Sequence, residues 1–345
     1  MNDIITTGSN AISSLNTAMN NKFDKPTGTS SQYIKGDGSL ATYTATGTMS
    51  SANVTNNKTI YMSLSGSDSN SGYCEELAVL TLSQAKTNAG NSGNQVCIFP
   101  GTYDLPADVT LNNLNCDYTA CNGQMGGITL IQSSTYSITI SNSSSSLRFY
   151  GLSFSCPIII SASGSVYFER CKFSTSISMT GSGFVSFINC DLQGATSSCT
   201  VSVTSSSGVK YIGSNCYVGL LTVNNAGALV VLADFNSSLP ITLQAGILSI
   251  GGNGVIYSAT STSNAITATG STSYLTLDDV TLVTPSGTPA RMSIGSGVVY
   301  SFRKVFYDKS NTTNSGTRNA QDLVTDSVDT NTIKIGGNSF NPTSY

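Results

Sequence analysis

The chain has no histidine in its 345 residues, which closes imidazole acid–base chemistry to it and turns attention to the carboxylates. Two carboxyl groups about 5 to 9.5 Å apart can cleave a sugar linkage, one as acid and the other as base or nucleophile. Four residues come forward on that criterion: Glu169, Asp191, Asp278 and Asp279. Asp278 and Asp279 are adjacent, and neighbouring residues of a strand face opposite sides, so one is expected to point outward and the other to sit at a turn. Glu169 and Asp191 form the better pair. Asp191, however, falls over Lys172 in the repeat described below, so a surface ion pair is the simpler expectation. Asp234 falls near Arg170 in the same way. Between Phe173 and Leu277 the charged residues are Asp191, Lys210 and Asp234 alone, a poor inventory for a lyase that must hold polyuronate. The sequence therefore leads to an expectation of binding without catalysis, and no cofactor or metal is expected. Tyr150, Tyr167, Tyr211, Tyr217 and Tyr274 are the candidate stacking residues for a glycan.

The element that must position these residues is a repeat. Leu147-Arg-Phe-Tyr-Gly-Leu-Ser-Phe154, Val166-Tyr-Phe-Glu-Arg-Cys-Lys-Phe173 and Val185-Ser-Phe-Ile-Asn-Cys-Asp-Leu192 are copies of one unit. Leu152, Cys171 and Cys190 are spaced 19 residues apart, and the register resumes at Cys216 and Phe235. Short alternating runs separated by Gly and Ser turns, recurring every 19 to 26 residues, predict stacked coils. A β-sandwich has no reason to keep its side-chain register at that period, and a leucine-rich horseshoe would need a helix-forming half that these units lack. The expected fold is all-β, a right-handed single-stranded parallel β-helix, with Leu152, Cys171, Cys190, Cys216 and Phe235 in one inward column. The three cysteines are expected to form a buried thiol ladder, while Cys116 and Cys121 are the nearest pair for a local disulfide. Nine cysteines cannot all pair internally, and no secretory leader is evident, so synthesis in a reducing cytoplasm is expected.

Charged residues make up 10% of the chain and the net charge is −3, which argues against nucleic acid as a partner. No stretch is long and apolar enough to predict a membrane span. At the start, Ile5, Ile12 and Met19 lie seven apart with Leu15 three beyond Ile12, a spacing that allows a short oligomerising helix or, equally, a flexible tail. The segment from Lys25 to Ser51 is rich in Gly, Thr and Ser and reads as a linker or arm.

Two stretches resemble known families. Lys22-Phe-Asp-Lys-Pro-Thr-Gly-Thr-Ser-Ser-Gln-Tyr-Ile-Lys-Gly-Asp-Gly-Ser-Leu40 resembles a motif near the N-terminal side of tailed-phage tail-fibre and tail-spike proteins. That resemblance implies a homotrimeric virion component, attached to other virion proteins through its N-terminal region and mediating host attachment. The second stretch comprises Ile60-Tyr-Met-Ser-Leu-Ser-Gly-Ser-Asp-Ser-Asn-Ser-Gly72, Leu80-Thr-Leu-Ser-Gln-Ala-Lys86 and Val96-Cys-Ile-Phe-Pro-Gly-Thr-Tyr103. In that order they resemble the opening of pectate-lyase-like β-helix proteins, which implies a strand and turn leading to a short helix that caps the solenoid. Read independently, Leu80 to Ala89 can form such a helix, and an uncovered first coil would expose an edge.

The expected organisation is an attachment segment over 1–51, the start of the β-helix with its capping helix over 52–95, the β-helix over 96–307, and a polar linker with a cap or tip over 308–345. The expected function is a viral structural fibre or spike protein, located on the virion and made in the host cytoplasm, that binds a host-surface glycan or protein without cleaving it. Two alternatives stand beside it: a tail-spike-like polysaccharide hydrolase or lyase, and a nonviral surface adhesin.

Overall fold

The computed structural model describes the backbone of residues 2–23, 32–34, 40–42, 59–318, 323–325, 333–335 and 338–340, less 92, 122–128, 194–198, 238–239, 259–261, 285 and 309–310. Side chains are described within 6–17 and 59–317. The chain divides into two compact units, Met1–Thr55 and Asn56–Tyr345.

In the first unit, helix α1 (Asn2–Phe23) precedes two short antiparallel strands, Gln32–Ile34 and Leu40–Thr42. Ile12 and Leu15 lie about one turn apart on α1 and are 63% and 62% exposed. The side chains of Ile5 and Met19, and those of the Lys22 to Leu40 motif, lie outside the described residues.

The second unit is a right-handed parallel β-helix. Every named strand from Thr59–Met62 to Thr317–Arg318 pairs in parallel with its neighbours. Three sheets run along its length. The first sheet passes through Gln95–Ile98, Cys116–Ala120, Ser146–Tyr150, Ser165–Glu169 and Val185–Ile188. The second passes through Gly101–Asp104, Thr129–Gln132, Ser153–Ser155, Lys172–Phe173 and Asp191–Leu192. The third begins at Val109–Leu111 and passes through Ile138–Ile140, Ile158–Ile160 and Ile177–Met179. Strands of three to five residues alternate buried and exposed side chains, so each coil closes around a narrow core that only its neighbours above and below complete. Thr313–Asn314 and Thr317–Arg318, which the sequence reading places in a polar linker, extend the stack. Beyond them, Leu323–Thr325, Ile333–Ile335 and Asn338–Phe340 form a three-stranded antiparallel sheet.

The core follows from the repeat. Tyr118, Phe149, Phe168 and Phe187 occupy one inward column of the first sheet, with successive ring centroids 5.3, 4.8 and 4.9 Å apart and nearly parallel planes. Phe154 and Phe173, from the second sheet, meet Phe168 edge-on. Further along, Ile212, Leu232, Ile250 and Leu277 fill the same column. Leu152, Cys171, Cys190, Cys216 and Phe235 are all buried, and Cys216 stands directly beneath Phe235 in register. The Cys190 N–H donates to Cys216 Sγ at 3.4 Å, which fixes the contact between those two coils.

From Gly151 onward, the turn from first to second sheet places a residue in the left-handed region, joined by Ser214 and Gly252 in two of the turns. Gly151, Arg170, Asn189, Asn215, Asp234, Asn253, Asp279 and Lys304 occupy that corner with φ between 50° and 70°. Asn and Asp tolerate this conformation through short polar side chains, whereas a β-branched residue does not. Asn189→Val should therefore lower stability by about 1 to 2 kcal/mol, while Asn189→Gly should be close to neutral, as read by urea denaturation.

Helix α2 (Leu82–Ala89) covers the first coil and buries Leu82, Ala85 and Ala89. Thr81 Oγ1 accepts from the Gln84 N–H at 3.2 Å, capping its first turn. Asp68 accepts from the Leu80 and Thr81 N–H groups at 3.0 and 2.9 Å. At the other end, Asn113 Nδ2 donates to Lys86 O at 3.1 Å, and Tyr118 O–H donates to Asn113 Oδ1 at 2.8 Å. The aromatic column is thus tied to the cap.

Cys121 is bonded to Cys97, and Cys116 is a buried free thiol. This corrects the expectation of a Cys116–Cys121 pair. The two lie on one extended stretch and cannot approach, whereas stacking brings Cys97 in the preceding coil within 5.1 Å of Cys121, Cα to Cα.

Among the described residues one charged side chain is fully inside. Lys210 occupies the inward column between Val185 and Val230, and its Nζ donates to the carbonyls of Gly181, Gly183 and Ser207 at 3.1, 2.6 and 3.3 Å. Burial lowers its pKa from 10.5 to about 8. Between those values the unfolded chain binds more protons than the folded one, so this group's contribution to stability rises with pH from about 8 to 10.5. Burial pushes the Cys116, Cys156 and Cys199 thiols up to about 12, and their contribution runs the other way, falling as pH rises from 9 to 12. The lysine is isolated by difference. The stability of the wild type relative to Lys210→Met should increase from pH 8 to 10.5, and a difference that stays flat across that window would refute the lowering of its pKa by burial.

Candidate functional site

Where the inward residues of the first sheet are aromatic, the residues between them line an outward cleft of about 290 Å³. Phe149 and Phe168 form its floor. Arg148 and Tyr150 flank the first ring along the strand, and Tyr167 and Glu169 flank the second. Asp117 and Thr119 close one end, Ser186 and Ile188 the other. The register makes two outward rows. Asp117, Arg148, Tyr167 and Ser186 stack in one, and Thr119, Tyr150, Glu169 and Ile188 in the next. Because the aromatic column beneath is close-packed, these side chains stand on a rigid base.

The electrostatics of the cleft are open. Among the described residues the ion pairs are Lys172–Asp191 at 3.7 Å and Arg303–Asp278, and neither lies here. The Arg148 guanidinium sits 5.5 Å from the centroid of the Tyr167 ring. Arg170 lies 5.5 Å from the centroid of Tyr150 and donates from Nη1 to its hydroxyl at 2.7 Å. Both arginines are thereby oriented by a ring, with donors left over for an anionic group.

Of the four carboxylates read from the sequence, Glu169 alone lines this cleft. Asp191 lies round the corner on the second sheet, paired with Lys172, so Glu169 and Asp191 do not form a couple. Asp278 points outward and accepts from Arg303 Nε at 2.7 Å, and Asp279 occupies the left-handed corner with φ 58°. Of the five tyrosines, Tyr150 and Tyr167 meet in the cleft. Tyr211 continues its row and lies over Gly213, where a side chain would collide with its hydroxyl. Tyr217 is on the second sheet and 53% exposed, and Tyr274, beside Ile247, is 45% exposed farther along the first. The residues that sequence reasoning missed are Asp117 and Arg148. Arg148 stands 19 residues before Tyr167, so the repeat carried its signal. Asp117 stands 31 before Arg148, across an inserted loop.

No protein-family model matches the chain, and no curated protein sequence matches it. Its fold is similar to that of two solved structures. One is the crystal structure of pectate lyase Pel9A, with TM-score 0.45 and 14% identity, covering 85% of this chain and 89% of that one. The other is a rhamnogalacturonan lyase, with TM-score 0.45 and 14% identity, covering 79% of this chain and 88% of that one. The likeness is one of fold. With it the expectation of a non-catalytic virion fibre or spike devoted to host attachment is corrected. The solved structures found are polysaccharide lyases by name, so neither the absence of enzyme activity nor the virion assignment is retained. No helix among the described residues is long and apolar enough to cross a membrane.

Proposed function

We propose that this protein cleaves an acidic polysaccharide held in the first-sheet cleft. One observation carries the reading: Asp117, Arg148 and Glu169 face a single cleft of about 290 Å³, and none of the three is paired with another charged residue among those described. Arg148 offers a planar fork that matches a sugar carboxylate, and Tyr150 and Tyr167 offer apolar surface to a sugar ring. Asp117 and Glu169 are two coils and two residues apart, which strand geometry converts to roughly 12 Å between Cα atoms. Side chains leaning together across that gap leave room for a water, the wide setting of inverting hydrolysis rather than the ~5 Å of the retaining reaction. In that role one carboxyl protonates the bridging oxygen as the other takes a proton from the attacking water.

Elimination is the second reading, favoured by the central position of Arg148. A guanidinium on a uronate carboxylate acidifies the adjacent C–H, and a neighbouring carboxylate removes that proton as the glycosidic C–O bond breaks. The test is to incubate the full chain with acidic and neutral polysaccharides and follow chain length, reducing ends and the ultraviolet absorbance of a new C=C bond. New reducing ends without that absorbance indicate hydrolysis, and both together indicate elimination. Acidic polysaccharides of unchanged length would refute the proposal.

A further inference from the structure

A second cavity, of about 250 Å³, opens on the same face toward the cap and shares Asp117 with the cleft. Its other lining residues are Thr59, Gly93, Asn94, Gln95 and Asn115. The two cavities lie along one outward row: Thr59, Gln95, Asp117, Arg148, Tyr167 and Ser186 stack in register, one per coil. At ~4.8 Å per coil that row is about 24 Å long.

The cavities differ in charge. The cleft has Arg148 to meet an anion, whereas among the described residues the second cavity has no cation and Asp117 is its one charged residue. A carboxylated sugar placed there would meet Asp117 without a counter-charge, and its exclusion would follow from repulsion as much as from missing contacts. The amides suit hydroxyl groups instead. Gln95 Nε2 donates to Thr119 Oγ1 at 3.1 Å, which leaves its carbonyl oxygen as an acceptor. Asn115 Oδ1 accepts from the Ser146 N–H at 3.2 Å, which leaves its NH₂ group as a donor. An acceptor and a donor fixed by the strands on either side match sugar hydroxyls, which both give and take a hydrogen bond.

Resting on the cleft reading above, we infer that the second cavity is a subsite for an uncharged sugar. The substrate is then a heteropolysaccharide in which a neutral residue neighbours the acidic one bound at Arg148, its chain lying along the solenoid axis.

The experiment uses full-length Glu169→Gln protein, so that ligands persist, and calorimetric titration with two oligosaccharides of equal length, one all uronate and one alternating uronate with a neutral sugar. The alternating oligomer should bind about tenfold tighter, the effect of one or two well-made hydrogen bonds plus relief of repulsion. Adding Gln95→Ala should reduce that preference to about threefold or less while leaving all-uronate affinity unchanged. Asn115→Gly, which suits the left-handed φ of 51° at that position, should do the same. Circular dichroism of each variant confirms that the fold is kept. Equal affinity for the two oligomers, or equal weakening of both by Gln95→Ala, overturns the subsite and leaves the cleft reading standing. If neither oligomer binds, the cleft reading itself fails.

Discussion

Glu169→Gln and Asp117→Asn should each lower the rate of polysaccharide cleavage by about 10²- to 10⁴-fold, the range associated with losing a general acid or base. Binding should change little in Glu169→Gln, which leaves Arg148 and the tyrosine faces in place. Asp278→Asn is the matched control. It deletes a carboxylate of the same sheet that is engaged with Arg303 and outside the cleft, and cleavage should continue at the wild-type rate. Arg148→Lys should separate holding from cutting. Lysine keeps the charge but loses the planar fork and the stack on Tyr167, so KM should rise more than kcat falls if Arg148 clamps the sugar carboxylate. If kcat falls and KM holds, the guanidinium acts on the bond-breaking step instead.

Phe168→Ala should cost about 3 to 5 kcal/mol of stability, the usual toll for emptying a buried aromatic site. Its ring stacks between Phe149 and Phe187 and meets Phe154 and Phe173 edge-on, so the cavity would open at the crossing of two aromatic columns. Phe168→Leu should lose much less. Because Tyr167 and Glu169 flank this residue on the strand, the alanine variant should also lose polysaccharide affinity before it unfolds. A denaturant midpoint unchanged from wild type would show that the column does not bear the stability assigned to it.

The coil architecture was open to reading because its physical cause is periodic. One inward position per coil demands an apolar residue and one corner demands Gly, Asn, Asp or another residue that tolerates positive φ, so Cys171 and Cys190 announce themselves together with Arg170 and Asn189. The site was legible only where that period holds. Glu169, Tyr150 and Tyr167 fall within the regular coils, and all three line the cleft. Asp117 lies before a longer coil whose extra residues erase the spacing, and Cys97, the partner of Cys121, lies one coil earlier at a separation of 24 residues, outside the run of 19-residue coils. Lys210 misleads in the opposite direction. A lysine in the repeat reads as surface, yet three carbonyls at the turns of the stack hold it inside.

The change of filling along the first-sheet column, rings from Tyr118 to Phe187, aliphatic chains from Ile212 to Leu277 and a single ring again at Phe302, sets how the molecule wears. In a stack where each coil leans only on its neighbours, damage propagates from a breach until it reaches coils that can stand without those they have lost. Digestion or pulling that starts in the aliphatic coils would be arrested at the ring-filled ones. The working face is therefore mounted on the part of the spine that fails last.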